Sequence, residues 1–355
     1  MARALGFDDS RRKLLPRTQI LGTGSYAPAR VVTNQDLEQL VDTSDAWIRE
    51  RTGIQERRQA APDEATSDLA VQASRQALEM AGVAPEDVDL IVVGTVTADM
   101  PMPSCAALVQ AKLGARKAFA FDVSAACAGA LYALSVADQF VRTGQVKRAL
   151  VVGADVLSRA VDWTDRNTCV LFGDGAGALV LGAGSDSEED ASSAGGPENV
   201  APRGILSTHL RTDGTLADIL CIPAGGSRTP VTSDNVDANL HKLKMNGKEV
   251  FRFAVRSLVE STQTSLGAHG MTPGQVDHVI AHQANLRILE AVLERLEIPR
   301  EKCWLNLHKY GNTSSASLPM SLDEAWRAGR IKRGDVIAMM AIGAGMAWGS
   351  AVVRW

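Results

Sequence analysis

One pattern of features occurs twice in the sequence, 185 residues apart. A strand-like segment leads through a short turn into a helical stretch, which closes on glycine before a basic pair and a second strand-like segment. The first helix closes on Gly144 and the second on Gly329, and Cys127 and Asn312 stand at the same separation in the turns before them. So many matches at one offset predict two homologous halves that alternate strands with helices, an α/β fold.

The duplication also predicts individual elements and a division of the chain. Between the halves lies an acidic, glycine-rich stretch, 183–203, whose composition cannot bury a core and predicts a surface insert. Predicted strands cover Phe119–Val123 (expected to be buried), 149–153, 178–181, 279–281, 304–307 and 336–341. One predicted helix covers 130–143, a second begins at 286, and a third ends at 328. The predicted divisions are an N-terminal extension (1–17), a first half (18–182), the insert (183–203) and a second half (204–355).

Composition excludes several classes of protein. Of the 355 residues, 45% are apolar and 22% charged, as in globular proteins, and a net charge of −4 argues against nucleic acid as a partner. Charges or glycines interrupt every apolar run, so the sequence predicts neither a signal peptide nor a membrane span. The five cysteines are scattered without a Cys-x-x-Cys pair, which argues against a zinc site or a disulfide framework and favours free thiols in a reducing cytoplasm.

Cys127 is a candidate nucleophile. It lies among alanines and glycine where a predicted strand meets a predicted helix, so the backbone can turn sharply and leave space beside the sulfur. Unpaired N–H groups at a helix N-terminus favour the thiolate, which an unperturbed thiol with a pKa of about 8.5 rarely forms at neutral pH. Taken alone, the local sequence favours a buried structural cysteine, which is the commoner role of a cysteine.

Three further segments are candidates for the same site. His282 follows a predicted strand and precedes a helix, a position where α/β folds carry chemistry, although a histidine that only begins a helix has the same pattern. Asn312 alone would be interpreted as a turn residue, and only its match with Cys127 makes it a candidate for the site. The glycine-rich stretch 343–345 ends a predicted strand and can present backbone N–H groups to an oxyanion.

Three short motifs surround the candidate residues: Ala-Ala-Cys-Ala-Gly at 125–129, His-Gln-Ala-Asn-Leu-Arg at 282–287 and Gly-Asn-Thr at 311–313. Four more are Gly-Thr-Gly-Ser-Tyr at 22–26, Asp-Thr-Ser-Asp-Ala-Trp-Ile at 42–48, Arg-Thr-Gly-Ile at 51–54 and Phe-Gly-Asp-Gly-Ala-Gly at 172–177. With these motifs, from about residue 20 to residue 355, the chain resembles the family of β-ketoacyl-acyl-carrier-protein synthase III. The resemblance implies a thiolase fold of two homologous halves in an α-β-α-β-α layering, a homodimer, and a catalytic triad of Cys127, His282 and Asn312.

The resemblance also implies roles outside the triad. The backbone N–H groups of Cys127 and Ala344 would form the oxyanion hole, and Met102 (from the partner subunit) and Ile342 would bound the acyl pocket. Methionine is flexible, which leaves the choice of primer open. Residues implied to bind coenzyme A are Thr43, Trp47, Arg51, Arg166, Gly247 and Asn285. Residues implied to dock the acyl carrier protein are Arg252, Arg287 and Arg295.

The activity implied is decarboxylative Claisen condensation of an acyl-CoA primer, acetyl-CoA in the first instance, with malonyl-acyl-carrier protein. The product would be a 3-oxoacyl-acyl-carrier protein that starts fatty-acid synthesis, and no metal or other cofactor is implied. A related enzyme that primes or joins polyketide chains is the alternative. A degradative thiolase would need a second cysteine near the C-terminus, where 343–346 has none, and a catalytically dead partner would lack the nucleophile.

Overall fold

The structure is a computed structural model that describes residues 17–184 and 203–355. The predicted N-terminal extension and acidic insert lie almost entirely outside these ranges, and the predicted domain boundaries stay predictions. The strands are β1 (Thr18–Tyr26), β2 (Arg30–Thr33), β3 (Glu56–Gln59), β4 (Leu90–Gly94), β5 (Phe119–Val123), β6 (Arg148–Asp155), β7 (Gly175–Ala183), β8 (Gly204–Thr212), β9 (Leu220–Cys221), β10 (Lys244–Met245), β11 (His278–Ala281), β12 (Val336–Gly343) and β13 (Ala347–Arg354).

Ten α-helices connect these strands within residues 17–184 and 203–355. The repeated helices end just before Gly144 and Gly329, both with positive φ, as the glycine-cap pattern predicts. The helices are α1 (Asn34–Glu38), α2 (Asp45–Thr52), α3 (Thr66–Ala81), α4 (Cys105–Leu113), α5 (Gly129–Arg142), α6 (Ser233–Asp237), α7 (Gly247–Gly267), α8 (Leu286–Leu296), α9 (Leu307–Tyr310) and α10 (Ser317–Arg327).

Two mixed sheets repeat the same topology. The first has the strand order β1-β7-β6-β4-β5, with β4 parallel to β5 and β6 and the remaining pairs antiparallel. The second has the order β8-β13-β12-β11, with only β11 and β12 parallel. Each strand of the second sheet follows the order of its counterpart in the first, so the prediction of two homologous halves is confirmed.

The sheets and helices form five layers. Helices α5 and α10 are buried between the two sheets, in a core cluster to which both sheets contribute. Helices α3 and α4 cover the outer face of the first sheet, and α7 and α8 cover the outer face of the second. Helix α5 is rich in small residues, and alanines on it pack in the core cluster that both sheets share. Small side chains let the helix lie close to both sheets. This α-β-α-β-α arrangement is the predicted thiolase fold.

Two predicted strands differ from the structure. β5 lies at the edge of the first sheet rather than in its interior, and its Phe119 is 43% exposed, so the prediction of a buried strand is wrong. Residues 304–307 form no strand: a single bridge between Val279 and Cys303 precedes them, and Leu307 already begins α9. There, the Gln283 side chain binds the Trp304 carbonyl (3.0 Å) and the Asn306 amide (3.3 Å), occupying groups that a strand would have paired.

Candidate active site

Cys127 lies in a single turn of 3-10 helix, Ala126–Ala128, between β5 and α5. The second half has the matching turn, Ser314–Ala316, directly before α10, and each turn begins with a residue in the left-handed region (φ 45° and 52°). The two turns are 188 residues apart, whereas the glycine caps are 185 apart, because α10 has 11 residues and α5 has 14. The repeat therefore pairs the turns correctly but shifts the residue opposite Cys127 by three positions.

The three predicted triad residues meet in one cavity. Cys127, His282 and Asn312 are all buried and line a cavity of about 110 Å³ that extends outward between α7 and α8. Two of the residues predicted to bind coenzyme A, Gly247 and Asn285, line the same cavity. A passage from the surface therefore ends on a sulfur, an imidazole and a carboxamide.

Burial dominates the chemistry of Cys127. Burial, opposed by a hydrogen bond from Ser314 and helped by repulsion from the buried Asp155 carboxylate, raises the pKa of the thiol to about 12. The Ser314 Oγ donates to Cys127 Sγ across 3.3 Å. Thiolate formation at this sulfur therefore depends on donors and on charge brought in by a substrate.

His282 is held as a neutral imidazole. Burial lowers its pKa to about 4, so the ring carries one proton at neutral pH. Its Nδ1 lies 2.6 Å from the Ser317 Oγ, which also lies 2.8 Å from the Ser314 carbonyl oxygen. A hydroxyl has one proton to donate, so Ser317 determines which ring nitrogen carries the proton: donation to Nδ1 leaves the proton on Nε2.

Asn312 is fixed by main chain and side chain alike. Its N–H donates to the Leu171 carbonyl (2.8 Å), and its carbonyl accepts from the Gly173 N–H (3.0 Å), which joins the second half to the loop before β7. Its Oδ1 accepts from the Ser314 N–H at 2.9 Å. With Oδ1 occupied in this way, the Nδ2 group is left to donate into the cavity.

A second cavity, of about 220 Å³, also reaches Cys127 and is bounded mainly by apolar side chains. Ala344, predicted for the oxyanion hole, lines it, whereas Ile342 lines the first cavity, and Met102 lines neither and is 84% exposed. Sequence analysis did not bring together the residues that form this cavity because they come from seven separate segments. They are Val96, Leu157, Phe172, Leu220, Cys221, Ile222 and Leu243, together with Ala126 and Ser314.

The predicted nucleotide-binding residues cluster around Trp47. The Arg166 guanidinium lies 4.5 Å from the centre of the Trp47 ring, and that of Arg51 lies 5.6 Å away. The Arg51 carbonyl accepts from Asn285 Nδ2 (3.1 Å), which connects this cluster to the first cavity. The Thr43 Oγ1 is buried and has no hydrogen-bond partner among the described residues. Aromatic and guanidinium planes with a free hydroxyl suit a purine nucleotide.

The three arginines predicted to dock a carrier protein are exposed on α7 and α8. Arg252 pairs with Glu249 one turn earlier on α7 (3.2 Å), while Arg287 and Arg295 lie on α8. Phe251, beside Arg252, lines the first cavity, so positive charge stands next to the passage.

Residues 17–184 and 203–355 lack two features that would point to other classes of protein. No helix there is long and apolar enough to cross a membrane. No group of three or more His, Cys, Asp or Glu side chains there is arranged to hold a metal ion.

The fold and this site define a class: a thiolase-fold condensing acyltransferase with Cys, His and Asn in one buried cavity. More particularly, the chain belongs to the family of 3-oxoacyl-[acyl-carrier-protein (ACP)] synthase III. The family's sequence model matches residues 121–214, and that of its C-terminal part matches residues 266–355. Over 336 residues the chain is 52% identical to the beta-ketoacyl-[acyl-carrier-protein] synthase III of Caldanaerobacter subterraneus subsp. tengcongensis, with 95% of this chain and 97% of that protein covered.

Solved structures agree with the sequence comparisons. The crystal structure of 3-oxoacyl-[acyl-carrier-protein] synthase III from Aquifex aeolicus is 45% identical, with a TM-score of 0.84 over 95% of this chain and 100% of that one. The priming beta-ketosynthase of the R1128 polyketide biosynthetic pathway is 35% identical, with a TM-score of 0.85 over 96% of each chain. The second likeness matters for the choice of pathway.

Proposed function

We propose that this protein condenses an acyl-CoA primer with malonyl-acyl-carrier protein, releasing carbon dioxide and forming a 3-oxoacyl-acyl-carrier protein that starts fatty-acid synthesis. The observation that carries the proposal is the convergence of Cys127, His282 and Asn312 on one cavity reached from the protein surface. Relatives about 50% identical over nearly the whole chain bear the name of this activity, which supports it.

In the first half-reaction, the Cys127 thiolate attacks the acyl carbon of the CoA thioester. The carbon–sulfur bond to coenzyme A breaks, CoA leaves as a thiolate that takes up a proton, and the acyl group remains on Cys127. The tetrahedral intermediate carries an oxyanion, and the backbone N–H groups of Cys127 and Ala344 are the proposed donors to it.

In the second half-reaction, malonyl-carrier protein loses its carboxylate as carbon dioxide. Negative charge develops on the thioester oxygen of the resulting enolate, and Nε2–H of His282 and Nδ2–H of Asn312 are the proposed donors to that oxygen. Ser317 supports this role when it donates to Nδ1 of His282, because the ring proton then sits on Nε2. Each donor of this kind is worth about 3–4 kcal/mol of barrier. The enolate carbon then attacks the acyl carbon on Cys127, the carbon–sulfur bond to Cys127 breaks, and the sulfur leaves as the thiolate that begins the next cycle.

Substrate delivery uses two neighbouring surfaces. We assign adenine to the space between Trp47 and Arg166, which now stack on each other, so that Arg166 must move aside to admit the base. The pantetheine arm would then run past Asn285 and Gly247 to Cys127. Arg252, Arg287 and Arg295 are the proposed contacts for an acidic carrier protein, since they are exposed beside the same passage.

The proposed assembly is a homodimer in the cytoplasm. β5 leaves one edge unpaired within the described part of the chain, and Met102 is too exposed to line the acyl pocket of its own subunit. A partner subunit on this edge would cover both, which supports the assignment of Met102 to the partner's pocket. All five cysteines are free, which suits a reducing compartment.

Mass spectrometry of the pure protein after incubation with acetyl-, isobutyryl- or octanoyl-CoA tests the proposal. We expect a stable adduct on Cys127 from acetyl-CoA and no adduct on the Cys127→Ser variant. Equal labelling of that variant would remove Cys127 as the nucleophile.

A polyketide-priming role is the second candidate, favoured by the likeness to the R1128 enzyme and by a second cavity of about 220 Å³. Preferential labelling by the octanoyl or isobutyryl thioester would support this candidate over fatty-acid initiation.

A further inference from the structure

We propose that Ser314 is a catalytic residue whose hydroxyl group donates a hydrogen bond to the Cys127 thiolate during acyl transfer. The proposal rests on the nucleophilic role of Cys127 proposed above. The Ser314 Oγ lies 3.3 Å from the sulfur, and both side chains line the larger cavity, where the acyl group would be held. Ser314 therefore touches the reacting atom.

The backbone of Ser314 is shaped for this position. Its φ of 52° lies in the left-handed region, which residues other than glycine enter rarely and at a cost in free energy. In that conformation its N–H donates to Asn312 Oδ1 (2.9 Å), and its carbonyl oxygen lies 2.8 Å from the Ser317 Oγ, which in turn lies 2.6 Å from the His282 Nδ1. One residue thus connects all three members of the triad, and only its side chain faces the sulfur.

The charges around the turn leave the Cys127 thiolate in need of a hydrogen-bond donor. Two titratable groups face Cys127: Asp155 at the end of β6, whose carboxylate disfavours a neighbouring thiolate, and His282 after β11, which is neutral. Neither supplies positive charge. A thiolate buried among them needs a donor within reach, and Ser314 is the side chain that the structure places there.

Asp155 does not depend on this hydroxyl. Its carboxylate accepts hydrogen bonds from the Thr95 and Thr97 hydroxyls and from the Val96 and Ser315 N–H groups. The hydrogen bond that the structure gives the Ser314 hydroxyl goes to the Cys127 sulfur, so the donor is already in place when Cys127 ionises.

Alkylation of Cys127 by iodoacetamide measures the thiolate without needing any acyl substrate. We expect Ser314→Ala to lower the second-order rate constant between pH 7 and 9 by about tenfold, because a hydrogen bond to a charged group is lost, with peptide mass spectrometry locating the adduct on Cys127. Ser314→Gly should give the same loss. Glycine accepts positive φ, so this variant keeps the turn and separates loss of the hydroxyl from loss of folding.

Ser315→Ala is the matched control, because its buried hydroxyl lies in the same turn and has no hydrogen-bond partner among the residues described. Its alkylation rate should equal that of the unmodified protein. If both Ser314 variants alkylate as fast as Ser315→Ala, Ser314 does not stabilise the thiolate and the inference is wrong. If the unmodified protein fails to react at Cys127 at all, the proposed nucleophile itself is wrong.

Discussion

At the scale of single residues, burial sets the ionisation of the site. His282 is in its neutral form at physiological pH because an imidazolium would lose its hydration inside the cavity and gain no carboxylate partner. A neutral ring suits a donor to a developing enolate, since its one N–H can be directed by Ser317 rather than shared with solvent.

The lowered pKa of His282 predicts a loss of stability in acid. Unfolding returns the ring to a pKa near 6.5, so between pH 6.5 and about 4 the unfolded chain binds a proton that the folded chain does not. The free energy of unfolding should therefore fall with pH in this window, by about 2–3 kcal/mol at pH 4.5 from this group alone. Urea unfolding of the protein and of His282→Gln at pH 7 and 4.5 tests this, and an identical pH effect in both would contradict it.

Sequence reasoning found the three reactive residues but not the serines that serve them. Cys127 and His282 carry reactive groups and stand after predicted strands, and Asn312 was found through the repeat. Ser314 and Ser317 belong to a run of small polar residues that any turn could contain. Their roles depend on a positive φ and on which atoms face inward, and those follow from packing between the halves rather than from residue type.

At the scale of elements, the end of β12 packs directly against the turn that contains Cys127. A Cβ added at Gly343 would lie 2.5 Å from the Cys127 nitrogen and 2.8 Å from the Ala125 carbonyl oxygen. Such contacts are far closer than van der Waals distance, so the turn would have to move. The position of Cys127 therefore depends on a strand from the other half.

Gly343→Ala should consequently lose acylation more than stability. We expect a cost of about 1–3 kcal/mol in the free energy of unfolding from overpacking, and at least a tenfold lower rate of acyl-Cys127 formation. Gly267→Ala is the control, since an added Cβ there meets no atom within 4 Å. Denaturant unfolding and time-resolved mass spectrometry give the two quantities. An acylation rate in Gly343→Ala equal to that in the control would show that the turn tolerates the displacement.

The sequence predicts an element well where the local pattern determines it, and poorly where a distant side chain binds the backbone. The helices before Gly144 and Gly329 and the strand 336–341 appear within two residues of expectation, because caps and apolar runs act locally. The strand over 304–307 failed because the Gln283 side chain, brought in by β11, binds the backbone groups that a neighbouring strand would have used.

At the scale of the whole molecule, the duplication predicted two homologous α/β halves and the family resemblance predicted their five layers, but neither predicted which strand edges are covered. β5 has an apolar composition that resembles a buried strand. In one subunit Phe119 packs against Phe121 and Phe140, with ring centroids 6.5 and 5.6 Å from its own. One side of the Phe119 ring is exposed. An apolar strand edge of this kind is typical of an interface, and the proposed homodimer would bury it.

Phe119→Arg should therefore separate the proposed dimer into subunits of 37.7 kDa. Two-fold symmetry would bring the substitution in from both sides, so that each subunit must bury a cation at the edge of β5 without a partner for its charge. We expect sedimentation velocity to report the monomer, and acylation to fall because Met102 could no longer close the partner's cavity. Leu40→Arg, at an exposed apolar site away from β5, should leave both unchanged. A Phe119→Arg protein that sediments as a dimer would place the interface elsewhere.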